Sequence, residues 1–162
     1  MSIKKEIQQI FLESSSIIES SQFLSEDIEN TVNIISSSFR KGKKLVIFGN
    51  GGSAADAQHI AAELIGRFQM KRNSLAAIAL TTDSSILTSI GNDFSFNDIF
   101  SRQVEGLVNS GDVVLGISTS GNSINIINGL KSAKSKNAKT ISILGNNGCL
   151  LYTSDAADDS LR

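Results

Sequence analysis

Short apolar, β-prone runs at residues 45–48, 76–80, 113–117 and 140–144 alternate with stretches of helical period, and that alternation leaves few folds open. Strands joined through helices call for a parallel sheet with right-handed crossovers and helices on both faces. Ahead of the first run, Ile3, Ile7, Ile10 and Phe11 make one apolar stripe and Ile28, Val32, Ile35 and Phe39 another, so two helices precede the sheet. Ser25 followed by Glu26 and Asp27 suits a helix start. The serine patches at 14–16 and 36–38 lie inside these stripes and read as softened helix rather than linker. A chain of 162 residues, 40% hydrophobic and 19% charged, is one globular domain with room for a real core.

The most specific segment begins where the first strand ends. Gly49, Gly51 and Gly52 follow the apolar run and precede a helical stretch. The chain turns sharply there with no Cβ to keep backbone N–H groups from an anion, and the helix offers its positive end. A tight strand-to-helix connection without a ligand explains the glycines equally well. On the helix, His59 and Glu63 are spaced to share one face and reach one ligand together. Taken alone, the pair also suits a structural histidine, the sole one in the chain, beside a solvated carboxylate.

A second cluster strengthens the first. The run 112–117 reads as another buried strand and ends in Ser118, Thr119, Ser120, Gly121, Asn122 and Ser123. In an open parallel sheet, ligands bind beyond the C-terminal strand ends, which puts this loop and the Asn50 turn on one crevice. A helix from about residue 124 to 137 follows. Its free amides and the preceding hydroxyls suit a phosphate held with few formal charges, whereas plain N-capping needs only one hydroxyl.

Charge narrows the classes. Lys and Arg number 15 against 16 acidic residues, a net charge of -1, so no global field recruits nucleic acid or an anionic membrane. The local basic runs at 40–44 and 71–72 read as solvated faces. No apolar run approaches the roughly 20 residues of a membrane span and no signal peptide opens the chain. The single Cys149 makes no internal disulfide, which fits a reducing cytoplasm.

With these motifs in place, the chain resembles the phosphoheptose isomerases of the sugar isomerase (SIS) domain family. Segments 49–68, 90–94 with 100–102, and 116–123 carry the likeness, which runs from near the N-terminus to about Gly148. The resemblance implies a three-layer, flavodoxin-like α/β SIS domain over residues 1–148, with the last strand and C-terminal helix missing. It implies an aldose–ketose isomerase turning sedoheptulose 7-phosphate into D-glycero-D-manno-heptose 7-phosphate, a precursor of heptose-containing glycans such as the lipopolysaccharide core. Under it Glu63 is the base and also touches substrate. Ser118, Thr119, Ser120 and Ser123 hold the phosphate, and Asn50, Gly51 and Gly52, with Asn92 and Asp93, contact the sugar. One zinc per subunit would bind His59 and Glu63, its other ligands coming from the C-terminal segment. Arg67, one turn past Glu63, pairs with that carboxylate, touches substrate, or is an ordinary surface residue. A cytoplasmic homotetramer is implied, with active sites between subunits and the first two helices in the interface.

From Cys149 onward the chain departs from the family. Residues 149–159 resemble the translation of a common sequencing-library adapter, so 149–162 are expected to be a non-native tail. With no second histidine to complete the zinc set or act as acid, the chain as written is expected to lack isomerase activity. A reading from another class is a non-catalytic SIS-domain binding protein of the replication-initiator-associating kind. That relative lacks a carboxylate where this chain has Glu63. A sugar-phosphate-sensing regulatory module would need a DNA-binding segment or a basic excess, and neither is visible.

Overall fold

A computed structural model describes residues 2–145 and the backbone of 159–161. Residues 146–158, on which most of the expected tail and Cys149 fall, lie outside the described residues. Two helices come first, α1 (Ile3–Ser20) and α2 (Ser25–Arg40), joined by a single 3₁₀ turn. The serine patches lie inside them, as their apolar stripes require. The stripes differ in use: α1 buries none of its residues, whereas α2 sets Ile34, Ile35 and Phe39 against the core.

The rest alternates as the apolar runs predict: β1 (Leu45–Gly49), α3 (Gly52–Ile65), β2 (Ala77–Ala79), α4 (Ser84–Asp93), α5 (Ser101–Leu107), β3 (Val113–Ser118), α6 (Ile124–Ser135) and β4 (Lys139–Leu144). The strands pair in parallel in the order β2-β1-β3-β4. Successive β1 residues point to opposite faces, so Leu45 and Ile47 pack beneath α2 and α3 while Val46 and Phe48 pack beneath α5 and α6. β1 and β3 are buried along their whole length, which is why they read as unbroken apolar runs. Each fully buried Ile, Leu or Phe contributes roughly 1.5–3 kcal/mol.

Two boundaries differ from the sequence reading. α6 stops at Ser135 because Asn137 takes a left-handed conformation (φ 58°), and the N–H groups of Asn137 and Ala138 close the helix on the carbonyls of Lys134 and Ala133. A further short strand, β5 (Asp159–Leu161), pairs in parallel with β4, Ile141 beside Asp159. The physical reason is that β4 would otherwise present a bare edge of unpaired N–H and C=O groups, which any extended segment can satisfy.

α6 lies close over the sheet. A Cβ on Gly116 of β3 would stand 3.0 Å from Ile126 and Leu130, and one on Gly129 of α6 would stand 2.7 Å from the Phe48 ring. Phe48 in turn stacks on Phe100, with ring centroids 4.8 Å apart. At the N-terminal ends of the strands, the carboxylate of buried Asp112 accepts from the Lys44 backbone N–H (3.1 Å), the Asn109 N–H (2.8 Å) and the Lys44 ammonium (2.5 Å). Burial pushes the Asp112 carboxyl up, but those donors outweigh it and hold the group below its ordinary range. Lys44 is therefore an ion-pair partner, not part of a solvated face. Nearby, the Ser38 hydroxyl donates to the Gly111 carbonyl at 2.9 Å and ties α2 to the same end.

Candidate active site

At the opposite end, β1 runs into the glycine turn. Gly51 caps α3 with φ 55° and ψ -118°, a conformation open essentially to glycine alone. The carbonyls of Asn50 and Gly51 accept from the N–H groups of Ser53 and Ala54, both at 3.0 Å, and start the helix. The N–H groups of Gly51 and Gly52 themselves find no acceptor among the described residues. They stand at the positive end of a helix, where an anion satisfies them.

The hydroxyl loop after β3 is folded on itself. The Ser118 hydroxyl reaches Ser123 Oγ at 3.3 Å and accepts from the Gly121 N–H at 3.1 Å, and Ser120 Oγ accepts from the Asn122 N–H at 3.2 Å. Ser123 is the N-cap of α6, yet its side chain makes no capping bond. The N–H groups of Ser120 and Ser123 find no acceptor among the described residues. A hydroxyl whose task was only to cap would be spent on the helix, so the loop keeps its donors for something else.

Turn and loop are joined by a residue the sequence reading missed. Asn125, buried in the first turn of α6, donates from Nδ2 to Asn50 Oδ1 at 2.8 Å, while Asn50 Nδ2 donates back to Asn125 Oδ1 at 3.0 Å. The only signal in the sequence is an asparagine set among the isoleucines 124, 126 and 127, a poor helix interior residue in an apolar run.

On α3, His59 Nε2 stands 3.7 Å from Glu63 Oε1, the histidine side chain exposed and the carboxylate partly buried. Both line a groove of about 390 Å³ between α2 and α3, walled by Ile35, Ile60, Leu64 and Phe68. His59 also borders a smaller one of about 290 Å³ with Asp56 and Ile117. Arg72 fixes this end of α3: its guanidinium donates to the backbone carbonyls of Glu63 (2.7 Å) and Leu64 (2.8 Å). That corrects its reading as a solvated residue; its five donors suit the orphan carbonyls of a helix end. Arg67 is exposed and makes no ion pair among the described residues, so the structure does not pair it with Glu63.

Asn92 and Asp93 sit apart, at the end of α4, where Asn92 Nδ2 donates to Asp93 Oδ1 at 2.8 Å. Asp93 lines a separate cavity of about 410 Å³ between α4 and α5, beside Arg102, whose guanidinium lies 4.0 Å over the Phe94 ring. No described hydrogen bond links this pair to the turn or to the loop. The predicted residues thus fall into a turn-and-loop group, the His59–Glu63 pair, and the Asn92–Asp93 pair. For zinc, the donor set is short: no three His, Cys, Asp or Glu side chains come together among the described residues. Two donors do not by themselves make a tetrahedral site. Also among the described residues, no helix is long and apolar enough to cross a membrane.

A doubly covered parallel sheet with a glycine turn and a hydroxyl loop at its C-terminal edge defines the class: the SIS domain family sequence model matches residues 11–145. The phosphoheptose isomerase of Aquifex aeolicus is 52% identical over 145 residues, 89% of this chain and 76% of that protein. That of Pelobacter propionicus is 60% identical over 110 residues, and there the chain spans 68% of itself and 58% of the relative. The solved phosphoheptose isomerase from Francisella tularensis superposes with a TM-score of 0.93 at 34% identity, covering all of this chain and 86% of that one. The chain belongs to the SIS domain family, on its phosphoheptose isomerase branch.

Proposed function

We propose that this chain carries the catalytic base and phosphate site of an aldose–ketose isomerase that interconverts sedoheptulose 7-phosphate and D-glycero-D-manno-heptose 7-phosphate, in the synthesis of heptose-containing glycans. The observation that carries this reading is that the N–H groups of Gly51, Gly52, Ser120 and Ser123, in the segments that follow the paired strands β1 and β3, have no acceptor among the described residues, on an isomerase-branch SIS domain that keeps Glu63. The donors hold the dianionic phosphate with helix ends rather than with formal cations. Thr119, exposed at the head of the loop, adds a hydroxyl.

In the reaction, Glu63 takes a proton from C1 of the ketose, the electron pair shifts to form the C1–C2 enediol, and O2 gains a proton. Return of a proton to C2 and loss of the one on O1 give the aldose. Glu63 is suited to this work because its backbone is pinned by Arg72 while its carboxylate stays open to the groove. His59, 3.7 Å away, is placed to bias that carboxylate's orientation. His59 and Glu63 would be this chain's share of a zinc site completed by groups beyond those described. In a homotetramer, Asn92 and Asp93 reach a sugar bound to a neighbouring subunit. The exposed apolar positions of α1, Ile3, Ile7, Ile10 and Phe11 among them, supply the interface.

The test is Glu63→Gln in a chimera whose residues after 148 come from the Aquifex aeolicus relative, assayed with sedoheptulose 7-phosphate. Turnover falls by on the order of 10²- to 10⁴-fold, the usual loss when a general base is removed. Near-parental turnover in the variant would remove Glu63 from that role. No conversion by the parental chimera would sink the substrate assignment.

A further inference from the structure

We propose that Asn125 is a positioning residue of the phosphate site: its clasp on Asn50 sets the spacing of the glycine turn and the hydroxyl loop, so that the free N–H groups of both converge on one anion. The inference rests on the phosphate reading above.

The β1–β3 ladder sets Gly49 beside Ile117, and beyond it this clasp joins the two segments through side chains. They are 75 residues apart in sequence and belong to different strands, yet their tips are joined by two antiparallel amide hydrogen bonds of 2.8 and 3.0 Å. Each amide spends one N–H and one oxygen lone pair on the other. Asn125 Oδ1 also accepts from the Ile126 N–H at 3.0 Å, so this side chain is fixed from two sides. Asn125 is only 2% exposed, and a buried amide left unpaired costs more than the pair gains. The side chain therefore holds a single geometry. The clasp joins the residue before Gly51 to the residue two after Ser123, and the unpaired donors of those two are useful together only if they point at a common centre. Asn125 itself has no reason to touch the anion; it acts through the placement of its neighbours. The clasp also spends much of the Asn50 side chain, so the turn meets its ligand mainly through backbone N–H groups.

Aspartate at 125 tests this because it keeps the shape and carries the needed donor only when protonated. A neutral carboxylic acid pairs with the Asn50 amide as Asn125 does, its O–H donating to Asn50 Oδ1 and its carbonyl accepting from Asn50 Nδ2. Binding of inorganic phosphate to the full chain is followed through the backbone ¹⁵N–¹H shifts of residues 51, 52, 120 and 123 at pH 7.5 and pH 5. The parent moves all four with one shared Kd at each pH. Asn125→Asp binds about tenfold more weakly than the parent at pH 7.5 and returns to near-parental affinity at pH 5. Asn125→Leu, neutral and without an amide, is about tenfold weaker at both pH values.

Parental affinity in Asn125→Leu overturns the proposal by showing that only charge mattered in the aspartate variant. Failure of Asn125→Asp to recover at pH 5, while its spectrum stays dispersed and the carboxyl ¹³C shift of the introduced side chain shows it protonated, overturns it as well. Should Asn125→Asp not fold, Asn50→Asp on the half-buried partner makes the same acid-recovery measurement. No phosphate-dependent shift in the parent brings down the phosphate reading and the clasp together, whereas parental binding with an indifferent Asn125→Leu brings down the clasp alone.

Discussion

The two ends of this sheet treat polar groups in opposite ways. At the N-terminal strand ends, the Asp112 carboxylate takes three donors and Ser38 closes on Gly111. At the C-terminal ends, a few residues along the same strands, the N–H groups of Gly51, Gly52, Ser120 and Ser123 have no acceptor in the described chain. One end is satisfied by the protein itself and serves stability. The other leaves its donors unpaired among the described residues, which under the proposed function is where the ligand is held. The contrast teaches that unpaired donors single out the proposed site more clearly than charge does, since the shortest ion pair among the described residues lies at the opposite end.

The largest expected effect is on the satisfied end. Asp112→Asn should destabilise the fold by about 2–3 kcal/mol at pH 7, because charge-assisted hydrogen bonds to a buried carboxylate are weakened together. The folded-state group is held below its unfolded value of 3.8, so its contribution is present above that pH and is lost as pH falls through the lower folded value. Urea unfolding at pH 7 and again near pH 2.5 checks this: the gap between parent and variant should close in acid. An equal gap at both would show that packing, not the ionised carboxylate, carries the effect.

A smaller effect is expected at the open end. Ser120→Asp keeps an oxygen able to accept from the Asn122 N–H, so the loop should hold its shape, but it sets negative charge against a phosphate. Calorimetric affinity for sedoheptulose 7-phosphate should drop by on the order of tenfold, about 1.4 kcal/mol, while unphosphorylated heptulose binds as before. Unchanged affinity would take the loop out of the site. Smallest is Gly51→Ala, where a Cβ would meet nothing within 4 Å and only the backbone objects. A loss of about 1 kcal/mol in thermal unfolding is expected, and none at all would mean that the turn relaxes to accept φ below zero.

Much of the fold was legible because it depends on local pattern. The apolar runs at 45–48 and 113–117 announced strands buried on both faces, and the stripe through Ile35 and Phe39 announced the covering face of α2. Boundaries set by a single backbone conformation were less legible, as Asn137 shows by ending α6 early. Of the proposed site, the glycines and hydroxyls stood out because their chemistry is written in adjacent residues. Asn125 could not, since nothing in one sequence reports that two amides 75 positions apart will pair. Arg72 was misread for the same reason: a cation followed by polar residues looks solvated until the helix end it caps is placed beside it.

The glycines at 116 and 129 have a bearing beyond packing. They set the height of α6 above the sheet by what they lack, and the first turn of that helix carries Asn125 and follows Ser123. A methyl group at position 129 would have to lift the helix off the stacked Phe48 and Phe100 rings, and the lift would be felt at the binding edge as a change of aperture. The tolerance of the proposed anion site is thus machined in the hydrophobic core, by two missing side chains.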